Sequence, residues 1–247
     1  MAGGQTLIEI RQLFNLPEFS DVLHLQQVIW GFADVELLPL RFLVVVSKVG
    51  GHVFGAYDGE TMVGFCFAIP GVKQGGRPYL HSHMLGVLPK YHNAGIGRRL
   101  KLRQREDALA RGIELIEWTF DPMELKNAFL NIEKLGAIVR RYSVNQYGVT
   151  ASPLHGGLPT DRCIAEWWID SPRVRAVLDG GKAERHPREC IAYPADIARI
   201  RSEDPTRARQ IQQANAEKFQ SFFASGLAVT GFQPSETEGA YLLEPFE

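Results

Sequence analysis

The sequence has few cysteines and no excess of charge of either sign, and both absences exclude classes of protein. Its three cysteines are Cys66, Cys163 and Cys190, and so sparse and odd a set argues against a disulfide framework. Lys plus Arg total 27 and Asp plus Glu total 28, a net charge of −1. A dedicated nucleic-acid or membrane-surface binder would need a basic excess. We therefore expect neither partner, although a local anion site stays open.

Long hydrophobic runs are also missing. The most apolar stretches, residues 42–46 and 62–70, are too short to cross a bilayer. The N-terminal sequence MAGGQTLIEIRQL lacks the basic region and apolar core of a secretory signal. His81 and His83 are the only close pair of histidines, and no third ligand is evident. These absences predict a cytoplasmic protein without a metal.

Apolar periodicity and turn residues predict an α/β (α+β) fold over the first 150 residues. Strands are predicted over residues 7–13, 52–57, 62–69, 79–87, 113–120 and 137–142. Helices are predicted over residues 16–30, 95–111 and 123–135, with Gly112 and Gly136 as their stops. This order gives hairpin-connected strands and then a strand–helix–strand–helix–strand run, so we expect a mixed sheet flanked by helices.

The pattern weakens after residue 150, where the Gly- and Pro-rich sequence SPLHGGLPTDR forms a connection. Strands are predicted over residues 163–169, 189–193, 227–232 and 239–243, and helices over residues 171–178 and 205–225. We therefore divide the chain into a core, residues 1–150, and a C-terminal α+β extension, residues 151–247.

Residues 85–106, LGVLPKYHNAGIGRRLKLRQRE, carry the clearest chemical signal. A strand leads into a loop containing Gly95 and Gly97, and a basic helix follows at once. Unpaired N–H groups and the helix dipole hold anions at such a terminus, and glycine lets a phosphate approach the backbone. The pattern predicts a pyrophosphate site. A Gly-x-Gly alone is also typical of an ordinary turn, and the dinucleotide and nucleoside-triphosphate fingerprints are both absent.

Two motifs together resemble the GNAT superfamily of acyl-CoA N-acyltransferases. VLPKYHNAGIG resembles the family's acyl-CoA loop, with His92 where Gln or Arg is usual, and NAFLNIEKLGA resembles a later helix, with Ile132 in place of a tyrosine that often protonates the leaving thiolate. HSHMLGV, WTFDP and PTDR further resemble a branch of bacterial predicted acetyltransferases. The resemblance covers about residues 7–147, and implies a mostly antiparallel GNAT sheet.

The resemblance also implies the chemistry: an acyl group, acetyl or succinyl, passes from acyl-CoA to a primary amine of a small molecule, with an amino acid as one acceptor class. The implied CoA contacts are Leu85, Gly86, Val87, His92, Asn93, Ala94, Gly95, Ile96, Gly97, Arg98, Arg99, Asn127 and Asn131. Lys101 is expected to face the adenosine phosphate. The strand amides at residues 85–87 would stabilise the developing oxyanion.

A general base helps this reaction, because an alkyl ammonium with a pKa of roughly 10 is mostly unreactive at neutral pH. His81 and His83 are two residues apart on one strand and so share a face, and imidazole titrates near neutrality. His81 also falls where the histone-modifying branch of the family places a glutamate. Rival bases are Glu117 and Asp121. Three alternatives stay open: histidines that only satisfy a polar cleft, Asp121 as a helix cap, and a water chain with no single base.

The remaining candidates depend on the missing tyrosine and on the extension. Tyr142 or Tyr147 could act as general acid, or both could be packing aromatics. Asp161 and Arg162 could bind a polar acceptor, or form internal salt bridges. The extension would complete the acceptor pocket or form a homodimer interface. The alternative function is a non-catalytic acyl-CoA-binding or sensing protein on the same fold.

Overall fold

The computed structural model describes residues 8–148 and 157–246. Residue contacts divide the chain into two units, Met1–Ile116 and Glu117–Glu247, and the strand β5 (Leu115–Phe120) spans that division. The domain limit expected at residue 150 lies outside the described residues, so the division into residues 1–150 and 151–247 stays a prediction.

The strands of the first unit pair in sequence order, each antiparallel to the next. They are β1 (Glu9–Gln12), β2 (His52–Asp58), β3 (Thr61–Val72) and β4 (Pro78–Val87). The tight turn between β2 and β3 contains Gly59, whose φ of 60° lies in the left-handed region that glycine adopts without strain. All four strands were expected from the alternation of apolar residues.

Helices cover both faces of these strands. α1 (Leu16–Trp30) and α2 (Leu40–Lys48) pack on one face through Phe19, Leu43 and Phe65, and α3 (Ile96–Ala110) packs on the other through Ile96 and Leu100. α1 and α3 confirm the prediction. α2 was missed, although two of its apolar residues, three positions apart, are its buried ones: Leu43 and Val46.

The second unit continues from β5 in the strand order β5-β7-β6-β9-β10-β8. Its strands are β6 (Ile138–Ser143), β7 (Arg162–Trp168), β8 (Glu189–Pro194), β9 (Leu227–Pro234) and β10 (Glu238–Pro245). β9 pairs antiparallel with β6 at Val139 and Val229. The strands β8, β9 and β10 therefore lie in the same sheet as β6 and β7.

The described residues of the second unit include four helices, of which α4 and α7 pack on its strands. α4 (Leu125–Phe129) continues as a π-helical turn, Leu130–Lys134, and is followed by α5 (Pro172–Leu178), α6 (Ile197–Glu203) and α7 (Pro205–Ala224). α6 was not expected. The Phe219 ring of α7 stacks on the Tyr142 ring, with 5.1 Å between the ring centroids. It also packs edge-on against the Tyr241 ring, with 5.3 Å between the centroids. Among the described residues, no helix is long and apolar enough to cross a membrane.

Each unit contains a β-bulge that redirects polar side chains. In β4 the register against β3 shifts between Phe67 and Ala68, so His83 has no partner across the ladder. In β6 the register against β7 shifts between Val139 and Arg141, so Arg140 is the extra residue. A bulge bends its strand and changes where neighbouring side chains point. Neither bulge has a glycine or proline that would have indicated it in the sequence.

Candidate functional site

The glycine loop before α3 leaves the first turn of the helix open. Gly95 is the N-cap residue, with φ 75° and ψ 4°, and no side chain caps the terminus. The first helical hydrogen bond runs from the Arg99 N–H to the Gly95 carbonyl, at 3.1 Å. Among the described residues, the N–H groups of Ile96 and Gly97 have no acceptor. Such free N–H groups and the positive end of a fifteen-residue helix form a site for an anion.

The chain turns in this loop at two residues whose backbone is in the left-handed region. Asn93 and Gly95 both have positive φ, 64° and 75°. A Cβ on Gly95 would meet no atom within 4 Å, so the space beyond this glycine is open. His92 donates from Nε2 to the Val87 carbonyl at 3.0 Å and so closes the loop onto the end of β4. Ala94 is exposed beside them.

The basic residues of α3 differ in their surroundings. Arg98 is half-buried beside the loop. The Arg99 guanidinium donates to the Ile8 carbonyl at 2.6 Å, which ties α3 to the start of β1. Lys101 is only 4% exposed and donates to Ser82 Oγ at 2.8 Å. The expectation that Lys101 faces a phosphate is therefore wrong, because its ammonium lies under the helix.

At the end of β4, successive backbone N–H groups point alternately toward β3 and away from it. Leu88 N–H bonds to the Val63 carbonyl at 2.9 Å, and Gly86 stands opposite Phe65 in the same register. In an antiparallel ladder the hydrogen-bonded pairs alternate, so the N–H groups of Leu85 and Val87 point away from β3. Gly86 is required for packing, since a Cβ there would lie 2.7 Å from the Trp30 ring.

The two strand histidines lie side by side, as expected from their spacing. Their ring centroids are 5.9 Å apart, and the His83 ring is 5.4 Å from Phe67. Burial lowers the pKa of His81 to about 4, with added repulsion from His83, Lys101 and Lys73. His83 is more exposed than His81, and partial desolvation also lowers its pKa. Both imidazoles are therefore neutral at pH 7, the state in which a ring nitrogen can accept a proton.

A polar cluster on the opposite side of β4 was not expected from the sequence. Ser82 Oγ donates to Gln104 Oε1 at 2.9 Å and accepts from Lys101, and all three residues are buried. Burial lowers the pKa of Lys101 to about 7. This cluster ties α3 to β4 through hydrogen bonds, and so holds the glycine loop in place relative to the strand that carries the histidines.

In the second unit, both rival carboxylates are held by arginines. Glu117 is 4% exposed and is paired with Arg141. Asp121 accepts from the Met123 N–H at 2.8 Å and pairs with Arg201 at 3.1 Å. The Met123 contact closes a local turn before α4, whose N-cap residue is Glu124 without a side-chain cap, so Asp121 does not cap this helix. These ion pairs give both carboxylates a structural role.

The later helix presents two asparagines differently. Asn127 is exposed, whereas Asn131 is 4% exposed and has no side-chain hydrogen bond to any described residue. Asn131 lies in the π-helical turn, and such turns are frequent at functional sites. Ile132 is fully buried, so packing explains the residue that stands in the tyrosine position. A solvated role, the alternative for Asn131, does not fit its burial.

The remaining candidates are bonded within the second unit. Tyr142 donates to Asp161 at 2.8 Å, and burial raises its pKa. The Tyr147 hydroxyl lies 3.0 Å from Thr119 Oγ1. Asp161 also accepts from the Asn145 N–H at 2.9 Å, and Arg162 approaches Asp121 at 4.0 Å. Internal bonding, the alternative kept for Asp161 and Arg162, describes these contacts.

Arg140 and Arg141 were missed by the sequence reasoning. Because of the bulge, both reach Glu166: Arg140 at 2.6 Å and Arg141 at 3.3 Å. Glu166 is 4% exposed. The adjacent arginines could have indicated an ion-pair site, but the pleat of a regular strand would place them on opposite faces.

Comparison with known proteins places one segment of the chain in a family. Residues 10–130 match the model of the acetyltransferase (GNAT) family. This segment is therefore a GNAT acetyltransferase domain, as the loop and helix motifs predicted. Among curated protein sequences, none matches the chain.

Solved structures support the same fold. The ribosomal-protein-S18-alanine N-acetyltransferase from Escherichia coli aligns with a TM-score of 0.52 and 18% identity, over 67% of this chain and 96% of that one. Arabidopsis thaliana NAA60, solved with a bisubstrate analogue, aligns with a TM-score of 0.55 and 14% identity, over 66% of this chain and 99% of that one. These likenesses confirm a mixed, mostly antiparallel sheet flanked by helices.

The family domain and the fold support acyl-CoA-dependent N-acetyl transfer as the general activity. The chain is thus similar to transferases that use acetyl-CoA or CoA. Among the described residues, no three His, Cys, Asp or Glu side chains come together as a metal site.

Proposed function

We propose that this protein transfers an acyl group, acetyl or succinyl, from acyl-CoA to the primary amine of a small molecule, with amino acids as one acceptor class. The observation that carries the proposal is the open first turn of α3 after Gly95, which supplies N–H donors for the pyrophosphate of CoA.

In the proposed reaction, the neutral amine attacks the thioester carbonyl carbon. A C–N bond forms, the C–S bond breaks, and CoA leaves as a thiolate that takes up a proton. The amide of Leu85 or Val87 would stabilise the oxyanion. The amine loses its proton to His81, with His83 as the second candidate base. Both rings are neutral at pH 7 and so can accept that proton, and the lowered pKa makes His81 a weaker base than an ordinary imidazole.

A panel assay tests the function. Acetyl-CoA and succinyl-CoA are each offered with amino acids, polyamines and amino sugars, and thiol release is followed. We expect one donor and one acceptor class to give turnover well above the rate of hydrolysis. Release that never depends on an amine would contradict the proposal.

The same assay separates the alternative function, an acyl-CoA-binding or sensing protein without catalysis. Buried Ile132 favours this alternative, because the helix offers no hydroxyl there to protonate the leaving thiolate. Binding of acyl-CoA without thiol release across the whole panel would support the sensing function.

Replacing His81 tests the base. We expect His81→Ala to lower kcat by about 100-fold, as for loss of a general base, with KM for acyl-CoA little changed. His24→Ala is the control, since His24 is exposed on α1. Undiminished turnover in His81→Ala would remove His81 from the mechanism and move the test to His83.

A further inference from the structure

A cavity of about 550 Å³ lies within the second unit, between β6, β7, α5 and the C-terminal segment. Small-molecule sites commonly enclose about 300–1,000 Å³, so the cavity has the size of a ligand site. None of the residues placed in the proposed acyl transfer lines it.

The walls of the cavity are largely apolar. Ile138 and Val174 contribute buried aliphatic side chains, and Trp168 and Phe246 contribute aromatic rings. Apolar walls with a few polar groups are typical of pockets that bind small organic molecules. A ring or a branched aliphatic group would gain by leaving water here.

Charged groups face the same space. Arg140 donates to Glu166 at 2.6 Å, and its guanidinium carbon lies 5.9 Å from the centre of the Phe246 ring. Glu166 also accepts from Arg141 at 3.3 Å. Arg140 bonds no described residue other than Glu166, so its remaining N–H groups are available to a ligand.

Arg173 is the second guanidinium on the cavity wall. It donates to the carbonyls of Gly136, at 3.1 Å, and Thr230, and it forms no ion pair with a described residue. Burial lowers its pKa to about 10, with repulsion from Arg185, so it stays a cation at pH 7. Both of its hydrogen-bond acceptors are neutral carbonyls, and Glu133 and Glu244 attract it without forming an ion pair. A desolvated cation without an ion-pair partner is costly, and a bound anion would offset that cost.

We infer that this cavity binds a small organic monocarboxylate with an aromatic or branched aliphatic body, its carboxylate held by Arg173 and Arg140. The planar guanidinium matches a carboxylate in a two-point hydrogen bond. Two guanidinium groups and one carboxylate line the cavity, which leaves a single excess positive charge. Glu166 therefore disfavours a dianion such as phosphate.

Direct binding to the protein tests the inference. The probes are 3-phenylpropanoate, its neutral analogue 3-phenylpropanamide, and inorganic phosphate, each titrated by calorimetry without acyl-CoA. We expect the carboxylate to bind at least about tenfold more tightly than the amide, because it adds charge-assisted hydrogen bonds. Phosphate should bind more weakly than the carboxylate.

Variants assign the binding to the cavity. Arg173→Gln should weaken 3-phenylpropanoate binding at least about tenfold. Arg175→Gln is the matched control, because Arg175 lies on the same helix but pairs with Asp170 at 3.6 Å and does not line the cavity. If Arg173→Gln does not fold, Arg140→Gln is the second test and should likewise weaken binding. Glu166 keeps Arg141 as a partner in that variant. Phe246→Ala should weaken carboxylate and amide alike.

Four results would overturn the inference: no binding of 3-phenylpropanoate, equal affinity for carboxylate and amide, tighter binding of phosphate, or wild-type affinity in both arginine variants. None of these results bears on acyl transfer, because the titrations contain no acyl-CoA.

Discussion

At the scale of single residues, burial decides which charged groups are free to act. The sequence alone does not distinguish the surroundings of four ionisable side chains, and the structure does: His81, Glu117, Asp121 and Lys101. His81 is neutral, the two carboxylates are ion-paired, and Lys101 lies under α3. The spacing of His81 and His83 could be read from the sequence, because a strand repeats every two residues. The arginine partners could not, since the bulge and the long-range pairing of β6 set them.

Lys101 gives a test of this residue-scale account. Its pKa is about 7 in the folded protein against an ordinary value of 10.5. Between these two values the unfolded chain holds more protons, so this group makes the folded state more stable as pH rises through that window. Below about pH 7 the full cost of burying the cation is present. Lys101→Met removes that cost.

We measure the free energy of unfolding of wild type and Lys101→Met in urea at each pH. Relative to wild type, we expect Lys101→Met to be more stable near pH 6 than near pH 9.5. Exposed Lys90→Met is the control and should show no such trend. A stability difference for Lys101→Met that does not change with pH would contradict a buried, titrating ammonium.

At the scale of elements, local signals placed most helices and strands within a few residues. α1 begins as the sequence indicates. The Asn15 side chain accepts from the Glu18 N–H at 3.0 Å, and the Glu18 carboxylate accepts from the Asn15 N–H at 3.3 Å. α2 was missed because its nine residues make only about two and a half turns, too few for a clear helical period in the sequence. The π-helical turn at Leu130–Lys134 was missed because no residue type indicates it.

The cap of α1 can be tested by one substitution. Asn15→Ala should lower the free energy of unfolding by about 1 kcal/mol, because the Glu18 N–H loses its acceptor. Ser20→Ala is the control, since exposed Ser20 only bonds back to the Leu16 carbonyl within the same helix. Equal stability for the two variants, measured by chemical unfolding, would contradict a role for this capping box.

At the scale of the whole molecule, the family match and the contact-based units divide the chain differently. The match covers residues 10–130, while the first unit ends at Ile116. The sequence indicated the family through two motifs, but it left the C-terminal hundred residues without a role. The structure shows that β8, β9 and β10 extend the sheet of the second unit. Long-range pairings such as Val139 with Val229 leave no local signal in the sequence.

The central claim is that the N-terminus of α3 holds the phosphates of CoA, and one substitution tests it without unfolding the helix. Gly97 lies in the first turn, where a Cβ would make only an ordinary 3.5 Å contact with Leu85. An aspartate there suits the helix dipole but repels an anion, and Gly97→Asn is its neutral match.

The measurement is the affinity for CoA of wild type, Gly97→Asp and Gly97→Asn by calorimetry. The account predicts that wild type binds CoA and that Gly97→Asp binds at least about tenfold more weakly than Gly97→Asn. Equal affinity in the two variants, or no binding by wild type, would contradict it.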